Sequence, residues 1–89
     1  ERRRRVEQAV SAWRRREATA RGWPEQAVLP GHCARELAPA LADSDEEAVR
    51  RSAIDGIRGL GERRRAWFTD AWLELGKAVL DVPSAPPPS

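Results

Sequence analysis

Glycine and proline punctuate this chain so that only two stretches are free to form a long helix. Residues 22–31 read Gly22-Trp23-Pro24-Glu25-Gln26-Ala27-Val28-Leu29-Pro30-Gly31, with two prolines and two glycines. Proline lacks the backbone N–H and clashes with the preceding turn, and glycine loses the most entropy on ordering. A regular helix is therefore excluded here. With no partner strand in the chain, the segment reads as an extended loop whose Trp23, Val28 and Leu29 plug a core. The second interruption is Gly59-Leu60-Gly61, a turn where missing Cβ atoms let the backbone bend tightly.

Upstream of the first break, residues 2–21 read as one helix. Val6, Ala9, Val10, Trp13 and Ala20 share a face at 3.6-residue spacing, with Glu17 the odd member. Gly22 and Pro24 supply the stop. Arg2 to Arg5 form either its first turn or a disordered basic arm. Downstream of Gly61 a helix is expected from about Glu62 to Leu80. Its broad stripe holds Arg64, Trp67, Phe68, Ala71, Leu75, Ala78 and Val79, with Trp72 on the flank. Between the breaks, His32 to Ala38 predicts a short helix ending at or near Pro39. Ser44 and Glu47 then predict a capping box, opening a helix to about Ile54 that buries Val49 and Ala53, with Ile57 following on the same face. The chain is all-α by this reading. Residues 1–81 form the helical domain, and 82–89 are a Pro-rich linker or tail.

Several chemistries are excluded or disfavoured. Cys33 is the single cysteine, so no internal disulfide is possible and an intracellular setting is favoured. His32 stands beside it with no other His or Cys in the chain, which excludes a zinc site in practice; Cys33 reads as a small packing residue, and no cofactor is expected. No apolar run approaches the roughly 20 residues that span a bilayer, so a soluble, cytoplasmic or nuclear chain is expected. With no tyrosine and no carboxylate pair in an apolar setting, an active site is not expected.

The net charge of +2 hides an asymmetry. Residues 1–30 hold eight arginines against four glutamates, whereas 31–61 carry a net negative charge. Arginine matches phosphate geometry and stacks on planar groups. At the Gly59-Leu60-Gly61 turn, the first free N–H groups of the following helix and Arg63, Arg64 and Arg65 suit a phosphate diester. The alternative is a plain helix–helix turn with solvated arginines. The three side chains fan over about 200°, which places Arg63 and Arg65 on opposite flanks and Arg64 in the apolar stripe. Trp13 and Trp67 are expected in the core. Trp23 and Trp72 are the candidates for stacking on a base.

Taken in order, these features resemble the HRDC (helicase and RNase D C-terminal) domain. Trp13-Arg14 late in the first helix, Gly22-Trp23-Pro24 and Val28-Leu29 resemble its opening. Arg35-Glu36-Leu37-Ala38 looks like its second-helix signature, and Ile57-Arg58-Gly59-Leu60-Gly61 with Arg64, Phe68 and Leu75 resembles its close. The resemblance covers about residues 6–80. It implies a compact bundle of about five helices, an accessory module of a RecQ-type DNA helicase or an RNase D-type exonuclease. Such modules bind single-stranded or branched DNA weakly and carry no catalysis. Two departures stand out: Glu25-Gln26 occupies a loop position where the family often has an aromatic or basic residue, and the segment from Glu47 to Ile57 is several residues longer than usual.

The expectation is a DNA-binding domain, monomeric in isolation, that meets phosphates through Arg14, Arg15, Arg21, Arg58, Arg63 and Arg65. The rival is a protein-docking module that uses the acidic 43–47 edge and the flank of Trp72 against the helicase core or another partner.

Overall fold

The computed structural model describes residues 1–80. The first helix, α1 (Arg2–Arg21), buries Val6, Val10, Trp13 and Ala18. The apolar face thus ends on Ala18, and Ala20 is exposed. Gly22 closes the helix at φ 68°, in the left-handed region that glycine tolerates. The Trp23 N–H donates to the Ala18 carbonyl at 2.9 Å and the Gly22 N–H to Thr19 at 3.3 Å, the paired bonds of a Schellman close.

The expected loop contains a single helical turn, α2 (Glu25–Val28). Pro24 stands just ahead of it, where a missing N–H costs nothing. Val28 and Leu29 are fully buried as expected, but Trp23 is not a plug: it lies on the surface, 38% exposed.

Helix α3 (Gly31–Ala42) runs straight through Pro39, where the sequence predicts a break. An internal proline costs about 3 kcal/mol. Leu37 and Ala38 precede it and Leu41 and Ala42 follow it, all buried. At about 1.5–3 kcal/mol per buried leucine, docking the last turn on the core offsets the lost hydrogen bond.

Helix α4 (Glu47–Asp55) begins later than the capping-box reading, with Glu46 at its cap and no side-chain capping bond. Ser44 Oγ instead accepts the Glu46 N–H at 3.1 Å, closing the turn before the helix. The buried face is Arg50 and Ile54, continuing to Ile57, while Val49 is exposed. The expected face was out by one residue, about 100° of rotation. Arg50 turns inward because its Nε finds two backbone carbonyls, Leu41 at 2.9 Å and Ser44 at 2.7 Å.

Helix α5 (Glu62–Leu80) buries Phe68, Thr69, Trp72, Leu73 and Gly76. Trp72 is therefore at the centre of the packed face. Trp67, expected in the core, is 54% exposed, and Ala71 and Ala78 are exposed with it. At the heart of the bundle Trp13 meets Phe68 edge-on at 5.1 Å and Trp72 at 5.7 Å. Helix α1 packs on α2, α3 and α5, and α4 closes the far side against α3 and α5. Among the described residues the fold is thus an all-α bundle of five helices.

The carbonyl end of α3 is held by cations, as the helix dipole favours. Arg2 Nε donates to the Ala42 carbonyl at 2.8 Å. Arg2 also pairs with Asp45 and Arg3 with Asp43, each at 2.6 Å. The N-terminal arginines are the anchored first turn of α1. No helix among the described residues is long and apolar enough to cross a membrane. The expected Pro-rich tail at 82–89 lies outside the described residues.

Candidate nucleic-acid interface

The Gly59-Leu60-Gly61 turn is built around its leucine. Leu60 is fully buried, and Gly59 and Gly61 take φ 84° and 88°, a region costly for any residue with a Cβ. Gly59 has a second reason to be glycine, since a Cβ there would sit 2.7 Å from His32 Nε2. His32 Nε2–H donates to the Arg58 carbonyl at 3.2 Å, and Cys33 Sγ approaches the same oxygen at 3.5 Å. The start of α3 therefore pins the turn. Burial pushes the Cys33 thiol up, keeping it protonated and unreactive.

Arg64 fastens the other side. Its Nη1 donates to the Leu60 carbonyl at 3.1 Å, and its Nη2 and Nε donate to Ala27 at 3.0 and 3.2 Å. The side chain is half-buried, as its place in the apolar stripe predicts, and its head caps backbone carbonyls.

These ties hold α2 and the first turns of α5 a fixed distance apart and leave an open groove of about 610 Å³ between them. Trp23, Pro24 and Ala27 form one wall; Gly61, Arg63 and Trp67 form the other. The two indoles lie 6.3 Å apart, centroid to centroid, tilted by 39°. Behind them the Arg21 guanidinium lies 5.1 Å from the Trp23 ring and 5.2 Å from Phe68. Its Nε donates to Glu17 at 2.9 Å, which fixes it there.

The six arginines singled out in the sequence do not form one face. Arg63 lines the groove and Arg21 supports it. Arg14 is withdrawn from solvent, its side chain 17% exposed, with Nε on the Leu29 carbonyl at 2.7 Å. It braces the loop. Arg65 lies across α5 beside Arg51, Asp55 and Asp70. Arg58 is exposed before the turn without lining the groove, and Arg15 is exposed on the outer side of α1. Of the two stacking candidates, Trp23 has an open face. Trp72 is fully buried and can meet no base.

Trp67 is the groove residue that the sequence reading missed. Trp67 and Phe68 are adjacent and so diverge by about 100°; Phe68 and Trp72, four apart, claim the core together. Arg63, four residues before Trp67, was the visible signal that this side faces outward, since i and i+4 are surface neighbours.

The acidic edge is also altered by folding. Arg3, hydrogen-bonded to Asp43, holds that carboxyl below its usual range, and Arg2 does the same for Asp45. Glu47 pairs with Arg51 at 3.4 Å, and Glu46 is exposed without an ion pair among the described residues. No three His, Cys, Asp or Glu side chains come together as a metal cluster among the described residues. Compared with known proteins, the chain matches no family model, no curated protein and no solved structure.

Proposed function

We propose that this chain is a non-catalytic nucleic-acid-binding module of the HRDC type, carried by a RecQ-like DNA helicase, which takes a single strand across the groove between Trp23 and Trp67. The observation that carries the reading is that pair of exposed indoles beside Arg63 at the Gly59-Leu60-Gly61 turn. An indole face costs water contact wherever it is exposed, and two in one groove form a platform for unpaired bases. Stacking contributes roughly 1–3 kcal/mol per base and is indifferent to sequence. Glu62 on the groove margin limits the positive field, so stacking contributes more than charge. With one phosphate met by Arg63, the log–log salt slope for a single strand is about −0.7.

The alternative, a protein-docking module, loses Trp72, which is buried, and meets Asp43 and Asp45 already paired, while the separated arginines and the exposed Trp23 and Trp67 favour it. The groove itself retains one protein ligand class, since aromatic-lined grooves accept proline-rich segments.

An amide-shift titration with a short oligodeoxythymidine tests the proposal. Shifts are expected at Trp23, Gly61, Arg63 and Trp67. Trp67→Ala should weaken binding by about fivefold or more, corresponding to the lower end of stacking energies. Arg63→Glu should weaken it as well, while Arg65→Glu, on the opposite flank, should not. Shifts with a proline-rich peptide and none with the oligonucleotide would reassign the groove to protein docking.

A further inference from the structure

We propose that the outer face of α1 is a second phosphate-binding surface, one that lies along duplex nucleic acid while the tryptophan groove takes an adjoining single strand. This rests on the nucleic-acid reading above and adds a second site with a different ligand.

The 20 residues of α1 make a rod about 30 Å long. One side packs on the bundle. The other presents Arg4, Arg5, Gln8, Ser11, Ala12, Arg15, Arg16, Thr19 and Ala20, all exposed. The acids of the helix lie elsewhere or at the edge: Glu17 is committed to Arg21, and Glu7 borders the Arg4 end. From Gln8 to Ala20 the face carries no acid. Arg2, Arg3, Arg5, Arg14, Arg21, Arg50 and Arg51 all have carboxylate partners. Arg4, Arg15 and Arg16 form no ion pair among the described residues. These three guanidiniums face water.

The residues between the arginines identify the partner. Gln8, Ser11 and Thr19 donate hydrogen bonds suited to phosphate oxygens, and Ala12 and Ala20 let a backbone approach closely. A membrane-surface helix needs bulky apolar side chains to insert, and this face has none. It also has no aromatic ring on which to stack an unpaired base, which leaves backbone contact as its mode. Arg4 stands eleven residues before Arg15, about 16 Å along the axis. That spacing brings flexible guanidiniums to the phosphates on either side of a duplex groove about 12 Å wide. The face ends at Ala20, one short step from Trp23, so a strand leaving the duplex at this end meets the groove.

Fluorescence anisotropy at low salt with the full chain separates the two sites. The probes are a blunt hairpin duplex, an oligodeoxythymidine and the same hairpin bearing a single-stranded tail. The tailed hairpin should bind most tightly. The double variant R15S/R16S should lower duplex affinity tenfold or more and reduce the duplex salt slope by about 2, with oligodeoxythymidine binding unchanged. Trp67→Ala should do the reverse. Both sets of side chains are exposed, and a wild-type far-UV circular dichroism spectrum with a cooperative melt in each variant checks that the fold is intact. Duplex affinity that survives R15S/R16S overturns the second site. So does wild-type binding to oligodeoxythymidine without binding to the hairpin, which leaves the groove reading standing. Wild-type protein that binds none of the three probes overturns both.

Discussion

Trp67 and Trp72 are five residues apart on α5, a rotation of about 140°, and replacing each by alanine distinguishes the packed side of the helix from the groove side. Trp72 is fully buried, 5.7 Å from Trp13 and 5.8 Å from Phe68. Its truncation removes most of that aromatic cluster and leaves a cavity, at a cost of about 3–5 kcal/mol. A domain of this size has a total stability of about 4–12 kcal/mol, so Trp72→Ala should be close to unfolded at the lower end. Trp67 is 54% exposed and borders an open groove, so no cavity forms when it is cut back. Burying a little under half of a tryptophan side chain removes roughly 70–115 Å² from water. At about 25 cal/mol per Å², reduced for burial retained in the unfolded chain, Trp67→Ala should cost about 1–2 kcal/mol. Trp72→Phe tests the reasoning further. The indole Nε1 is buried without a hydrogen-bond partner, a penalty of about 1–3 kcal/mol that phenylalanine removes. That gain should offset most of the lost ring area and leave stability within about 1 kcal/mol of wild type. Urea unfolding followed by far-UV circular dichroism measures all three without relying on the altered fluorophores. Equal losses for Trp67→Ala and Trp72→Ala would refute the helix phase on which both core and groove depend.

Arg50→Ala should destabilise the fold by about 3 kcal/mol in thermal melts, because its Nε alone serves the Leu41 and Ser44 carbonyls. Arg50→Lys should recover less than half of the loss, since the lysine ammonium lies one atom beyond the position of Nε and is more strongly hydrated. Gly61→Ala should cost about 1–2 kcal/mol for its positive φ alone, with nothing within 4 Å of the new Cβ. Gly59→Ala should cost more, and His32→Ala should remove the excess in a double-mutant cycle, because that excess is the contact with the imidazole. Asp43 and Asp45 titrate below their usual value beside Arg3 and Arg2. A carboxyl lowered in the folded state stabilises above its unfolded value of about 3.9 and loses that contribution as pH falls through the folded value. The melting temperature should therefore drop below about pH 4, and D43N/D45N should flatten that drop.

Local chemistry made much of the chain legible in advance. Gly22 with Pro24 ends α1 wherever the chain packs, because positive φ and a missing N–H act on the backbone itself. The Gly59-Leu60-Gly61 turn and the long helix from Glu62 to Leu80 follow from the same rules. The short internal helices were less legible. Pro39 is tolerated only because Leu41 and Ala42 have a core to enter, and α2 forms only because Val28 and Leu29 are anchored.

The candidate site divides along the same line. Trp23, Arg21 and Arg63 stand out in the sequence as groups suited to bases and phosphates, and their chemistry needs no fold to be recognised. Which of them meet is another matter. Trp67 reaches Trp23 only because Phe68 and Trp72 take the core, and Arg14 is lost to the site because the Leu29 carbonyl lies within its reach. Amino-acid sequence thus determined where α1 stops and where α5 starts, since capping, φ preference and missing donors are properties of neighbouring residues. Only the tertiary structure decided which side of each helix faces inward. In α4 and α5 large or apolar groups occupy adjacent positions, about 100° apart, and the choice between them falls to the partner surface that packs there.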